Sequence, residues 1–163
     1  MSVRPVLIWP DDRLTQVCQK VDQPDAKLIA DMFETMYDAP GRGLAAPQIG
    51  VMQRVFVMDV GWKEGVKQPL VCINPEILSV SKEQVTGPEG CLSMPGVTVD
   101  VTRPAGIDLR YTDASGNRVT QTLNGFAAIC AQHELDHLNG KMHFDRVKPD
   151  ERARILKDYE ALT

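Results

Sequence analysis

The chain's apolar residues fall into two helical patterns separated by a stretch of strand-like alternation. Leu28, Ile29, Met32, Phe33 and Met36 recur at the three-and-four spacing of a helix with one buried face. Pro24-Asp25 opens that helix and Pro40-Gly41 ends it. Farther on, Phe126-Ala127-Ala128-Ile129-Cys130-Ala131 is apolar on every side, the mark of a helix surrounded by protein. With Asn124 as N-cap and Asn139-Gly140 as C-cap, it predicts a second helix over 124–139. Between the two, strands are predicted over 54–60, 70–73, 97–102 and 106–112, and the turn Ala114-Ser115-Gly116-Asn117 makes 106–123 a hairpin. Another strand-like piece containing His143 and a charged helix after Pro149 close the chain. Gly41 to Gly50 carries too little charge for a simple surface loop. The expected fold class is α+β: antiparallel β-sheets packed around a central helix, with an N-terminal helix and a short C-terminal helix, as one domain over 1–163.

Composition narrows the setting. The 163 residues are 43% hydrophobic and 25% charged, with a formal net charge of −4, ordinary for a globular protein. This mild acidity argues against DNA binding while leaving room for brief contact with a ribonucleoprotein. No run of about 18 apolar residues exists to span a membrane. The opening segment, with Asp11-Asp12 close behind, has too short an apolar core for a signal peptide, so a cytoplasmic address is expected. Cys18, Cys72, Cys91 and Cys130 lack a framework spacing and read as thiols or ligands rather than disulfides.

Candidate chemistry concentrates in His133-Glu134-Leu135-Asp136-His137. Residues four apart share a helix face, so His133 and His137 can ligate one metal ion, with Glu134 beside it as general base. Two histidines and two carboxylates in a buried helix are costly unless something pairs with them. A catalytic site of the zinc type needs a third protein ligand and an open position. His143 competes for that role, because residues 133–143 satisfy the metzincin pattern H-E-x-x-H-x-x-G-x-x-H. The 20 residues after His143 leave no room for that architecture's downstream wall. Cys91 competes from Gly87-Pro88-Glu89-Gly90-Cys91-Leu92-Ser93-Met94-Pro95-Gly96, where glycine and proline imply an irregular loop. Cys18 and Cys72 read as small buried hydrophobes, and Cys130 as a pocket-lining core residue.

Three segments together resemble peptide deformylase: Gly41-Arg42-Gly43-Leu44-Ala45-Ala46-Pro47-Gln48, Glu89-Gly90-Cys91-Leu92-Ser93, and Gln132-His133-Glu134-Leu135-Asp136-His137. They stand in the family's order and the likeness runs over nearly the whole chain. The resemblance implies removal of formyl groups from N-formylmethionyl nascent peptides, with Cys91, His133 and His137 as metal ligands. In such a site a bound water is acidified, and the resulting hydroxide attacks the formyl carbon while Glu134 acts as general acid and base. By resemblance, the Gln48 amide and the Leu92 backbone N–H stabilise the oxyanion; the plain alternative for Gln48 is to brace a loop. Gly43 and Gly90 would let a peptide pair with the backbone, with turn geometry as a second role, and Phe126, Ile129 and Cys130 would wall the methionine side chain unless they only pack in the core. Asp136 and Gln132 are expected to orient the ligands, the alternative for either being to cap or solvate the helix. Arg42 stands where many relatives carry an aliphatic residue, and would narrow the pocket or bind the peptide unless it is a solvated loop charge. The metal implied in the cell is Fe2+, with Zn2+, Ni2+ or Co2+ replacing it in preparations. Work near the ribosomal exit tunnel, as a monomer, is expected, although the terminal helix is short for docking.

Overall fold

A computed structural model describes residues 2–163. The N-terminal helix α1 runs Ala26–Asp38, with Asp25 accepting a hydrogen bond from the Lys27 backbone N–H at its start. The strands are β1 (Gly43–Ala45), β2 (Val55–Met58), β3 (Leu70–Val80), β4 (Gln84–Glu89), β5 (Val99–Pro104), β6 (Gly106–Thr112) and β7 (Arg118–Asn124). Helix α2 spans Gly125–Leu138 and α3 Pro149–Glu160. The pairings between these strands are antiparallel: five strands in the order β1-β2-β3-β6-β7, and β4 with β5 as a separate pair.

The layering explains the sequence pattern. Strand β2 is buried at all four positions because a helix covers each face of the larger sheet. Val55 and Val57 pack with Leu28, Met32 and Met36 of α1, whereas Phe56 and Met58 pack with Ala128, Ala131 and Leu135 of α2. Helix α2 is thus enclosed, and every residue from Cys130 to Leu138 is buried. A third cluster joins Val99 and Val101 of β5 to Phe144, Ile155 and Tyr159 beneath the smaller sheet.

The end of α2 is tied down. The Leu138 carbonyl accepts from the Cys18 N–H at 2.8 Å and from the Arg54 guanidinium at 3.0 Å, so a helix-terminal acceptor is satisfied and met by positive charge. Gly140 then turns with φ +74, and a Cβ there would meet the Thr15 carbonyl oxygen at 2.6 Å.

Three expectations need correction. The strand predicted over 70–73 continues to Val80, with an irregularity between Ile73 and Glu76 that absorbs Pro75. Part of the predicted 87–96 loop is strand: β4 carries Gly87 and Pro88 to Glu89, in a two-stranded pair where each strand keeps one edge open. His143 lies in a 3-10 turn, His143–Arg146, rather than in a strand.

Candidate metal centre

Helix α2 delivers His133 and His137 to one face, and the bend that follows β4 delivers Cys91 opposite them. Their ligating atoms all lie within 4.8 Å of one another. The Cys91 Sγ stands 3.4 Å from His137 Nε2. A thiolate and an imidazole bound to one tetrahedral ion at about 2.3 and 2.0 Å lie about 3.5 Å apart, so the Cys91–His137 pair stands at a metal-bridging separation. His143 is not part of this cluster. Its Nδ1 accepts from the Phe144 backbone N–H at 3.0 Å, and its ring edge meets the His133 ring at 5.7 Å.

A buried chain of charge sets the orientation of His133. Its Nδ1 lies 2.9 Å from Glu89 Oε1, which directs Nε2 toward the cluster. Arg103 grips Glu89 through two bonds, 2.7 and 3.0 Å, and reaches Asp136 at 2.9 Å. Arg146 holds Asp136 from outside, with Nε donating at 2.9 Å. Burial alone would raise the Glu89 pKa, but hydrogen bonds from His133 and Arg103 outweigh it and hold the carboxyl at about 2. Burial lowers the basicity of both imidazoles, yet Cys91 and Glu89 reverse the effect at His133, while the charge of His133 deepens it at His137. The two imidazoles thus sit in unlike electrostatic settings, His133 beside the Glu89 carboxylate and His137 buried without one.

The expectation that Asp136 and Gln132 orient the ligands is not met. Asp136 bonds Arg103 and Arg146, and Gln132 Nε2 donates to the Pro104 and Ala128 carbonyls. Glu89 orients His133 instead, and Arg103 steadies Glu89. A signal was available: Val99, Val101 and Arg103 share the inward phase of β5, so a cation was bound to be buried there.

Beside the cluster lies a cleft of about 450 Å3. Arg42, Gly43, Gln48, Gly90, Cys91, Leu92, Phe126, Ile129, Cys130, His133 and Glu134 all line it, and His137 sits deeper, fully buried. Glu134 Oε1 is buried without a protein partner. Burial pushes its carboxyl up to about 7, the range a group needs to take and return a proton near neutrality. A Cβ on Gly43 would meet Glu134 Oε2 at 2.6 Å and Cys130 Sγ at 2.8 Å, so a side chain here would displace the carboxylate or the thiol. At Gly90 the same construction meets open space.

Gln48 is fixed at both ends. Its Oε1 accepts from the Ala45 N–H at 2.9 Å, and its Nε2 donates to Ser93 Oγ at 3.0 Å. The same nitrogen lies 3.8 Å from Cys91 Sγ, so a second amide hydrogen faces the cluster. Cys130 is a buried thiol whose pKa burial raises well above normal, 4.0 Å from Glu134 Oε2. Phe126 is 54% exposed, a shelf on the cleft rather than a core residue. Arg42 is not a free loop charge: it pairs with both Glu64 carboxylate oxygens, bonds the Val60 carbonyl, and lies 5.5 Å over the Phe126 ring.

Comparison with known proteins follows this geometry closely. The polypeptide deformylase family model matches residues 3–153. A peptide deformylase of Cellvibrio japonicus is 48% identical over 163 residues, covering 98% of this chain and 95% of the relative. The crystal structure of peptide deformylase from Ehrlichia chaffeensis in complex with actinonin superposes with a TM-score of 0.91 at 39% identity, covering 99% of this chain and 98% of that one. The peptide deformylase of Thermus thermophilus superposes with a TM-score of 0.89 at 38% identity, over 98% and 94% of the two chains.

Proposed function

The chain belongs to the polypeptide deformylase family, and on that premise we propose that it removes the formyl group from N-terminal formylmethionine of nascent polypeptides, using Cys91, His133 and His137 to hold a divalent metal ion and Glu134 to move the proton. The observation that carries this reading is the meeting of one thiol and two imidazoles at the floor of a cleft, beside a buried carboxylate oxygen that has no protein partner.

The ion, when bound, acidifies a water and draws charge from the formyl oxygen. Everything else falls to the chain. Glu134 accepts a proton as water adds to the formyl carbon, then returns one to the amine nitrogen as the carbon–nitrogen bond breaks and formate leaves. The second Gln48 amide hydrogen and the Leu92 backbone N–H donate to the oxygen on which negative charge develops. Ser93 and Ala45 keep that amide oriented beforehand, so bracing and catalysis are one role. Strand β1 is an edge of the larger sheet and β4 an edge of the smaller one, which suits a peptide entering between Gly43 and Gly90 as an added strand. Phe126, Ile129 and Cys130 form the apolar wall for the methionine side chain.

Thiolate with imidazole suits ferrous iron and zinc alike; Fe2+ is the ion we assign in the cell, with zinc, nickel or cobalt able to replace it. We assign it one catalytic domain over 1–163, acting as a cytoplasmic monomer on chains leaving the ribosome; no helix among the described residues is long and apolar enough to cross a membrane. Formate release from formyl-Met-Ala-Ser is the direct test. The wild type should turn it over, and Glu134→Gln should lose about 10²–10⁴ in kcat while keeping its metal. Equal turnover by the variant would overturn the role given to Glu134.

A further inference from the structure

The outer bank of the cleft carries a charge that the reaction does not use. The 3-10 turn Trp62–Glu64 is fastened there at both ends: Trp62 Nε1 donates to the Gly41 carbonyl at 2.8 Å, and Glu64 takes the Arg42 guanidinium through two bonds of 2.9 and 2.7 Å. Lys63 is held between these two anchors and lines the cleft. Its ammonium rests 5.9 Å from the Trp62 ring centre and makes no ion pair among the described residues. Arg42 spends its charge on Glu64, so this bank presents two cations against one carboxylate.

Among the described residues that line the cleft, no carboxylate on the other bank offsets that excess. The opposite bank, Pro88, Gly90, Pro95, Gly96, Val97 and Thr98, is uncharged. The carboxylates in the cleft lie deep: Glu89 is locked to Arg103, and Glu134 is buried under Gly43. Lys63 lines the same cleft as Gly43 and Gly90, the two points between which a peptide would be laid.

Resting on the deformylase reading, we propose that Lys63 is a specificity-determining residue that favours nascent peptides with an acidic side chain within the few residues after formylmethionine. The contact is remote from the bond that breaks, so it strengthens ground and transition states alike and acts on KM rather than kcat.

The test uses the metal-loaded enzyme and C-terminally amidated formyl-Met tetrapeptides, all alanine except for one Asp or its neutral isostere Asn at position 2, 3 or 4. At low salt the Asp/Asn ratio of kcat/KM should reach about threefold at one of these positions, the scale of a single exposed charge pair, and fall toward unity in about 0.5 M salt. Lys63→Gln should bring the ratio to unity and Lys63→Glu should invert it, whereas Lys20→Gln, outside the cleft, should leave it unchanged. A ratio of one at all three positions, or one that survives Lys63→Gln, overturns the proposal. The all-alanine peptide separates the two readings, since failure to deformylate it would sink the function itself rather than the selectivity.

Discussion

Two arginines serve the cleft in opposite ways. Arg103, 4% exposed, sits beneath the floor with Glu89 and Asp136, and its carboxylates have no water to fall back on. Arg42 sits on the rim, 27% exposed, paired with a Glu64 that is 59% exposed. Both make short, forked contacts. The difference lies in what remains when the arginine is removed: at the floor a buried carboxylate stripped of its main partner, at the rim a hydrated one. Contact geometry therefore ranks neither; burial does.

The largest break should come at the floor. Arg103→Met takes from Glu89 its only guanidinium partner among the described residues, leaving it His133, while Asp136 keeps Arg146; it should cost about 3–5 kcal/mol in urea unfolding. With Glu89 no longer steadied, metal affinity should also fall about 10–100-fold, read by competition with a chelator. Adding Glu89→Gln should recover part of the stability but not the affinity, which separates the charge penalty from the orienting role.

A smaller effect concerns pH. The folded Glu89 carboxyl, at about 2, lies below its usual 4.5, so its stabilisation is complete above about 4.5 and is lost as pH falls toward 2. Urea midpoints measured at pH 7, 4 and 2.5 should drop across that window, and Glu89→Gln should flatten the drop. A wild-type midpoint indifferent to pH down to 2.5 would remove Glu89 from the account.

The smallest effect belongs to the rim. Arg42→Ala should change stability by no more than about 1 kcal/mol, the range of exposed pairs. If it matched Arg103→Met, the contrast between the two arginines would fail.

The floor and the rim also differ in how far the sequence revealed them. His133, Glu134 and His137 were legible because a polar triad on an otherwise apolar helix has few physical uses, and Cys91 because its neighbours bend the chain. The helices α1 and α2 announced themselves through periodicity and caps. What the string hid was pairing at a distance. Glu89 lies in a strand disguised by Gly87 and Pro88, and its partners Arg103 and His133 stand 14 and 44 residues away. Strand β3 hid behind Pro75, which reads as a stop unless the irregularity beside it is known. The Arg42–Glu64 pair left no local trace, since nothing in either residue's neighbourhood names the other.

Metal content and formyl-peptide turnover, measured side by side for Cys91→Ala and His143→Ala, test the central claim most directly. The account predicts that Cys91→Ala loses both the ion and the activity while His143→Ala keeps both. An empty site in His143→Ala, with the ion retained in Cys91→Ala, would contradict it.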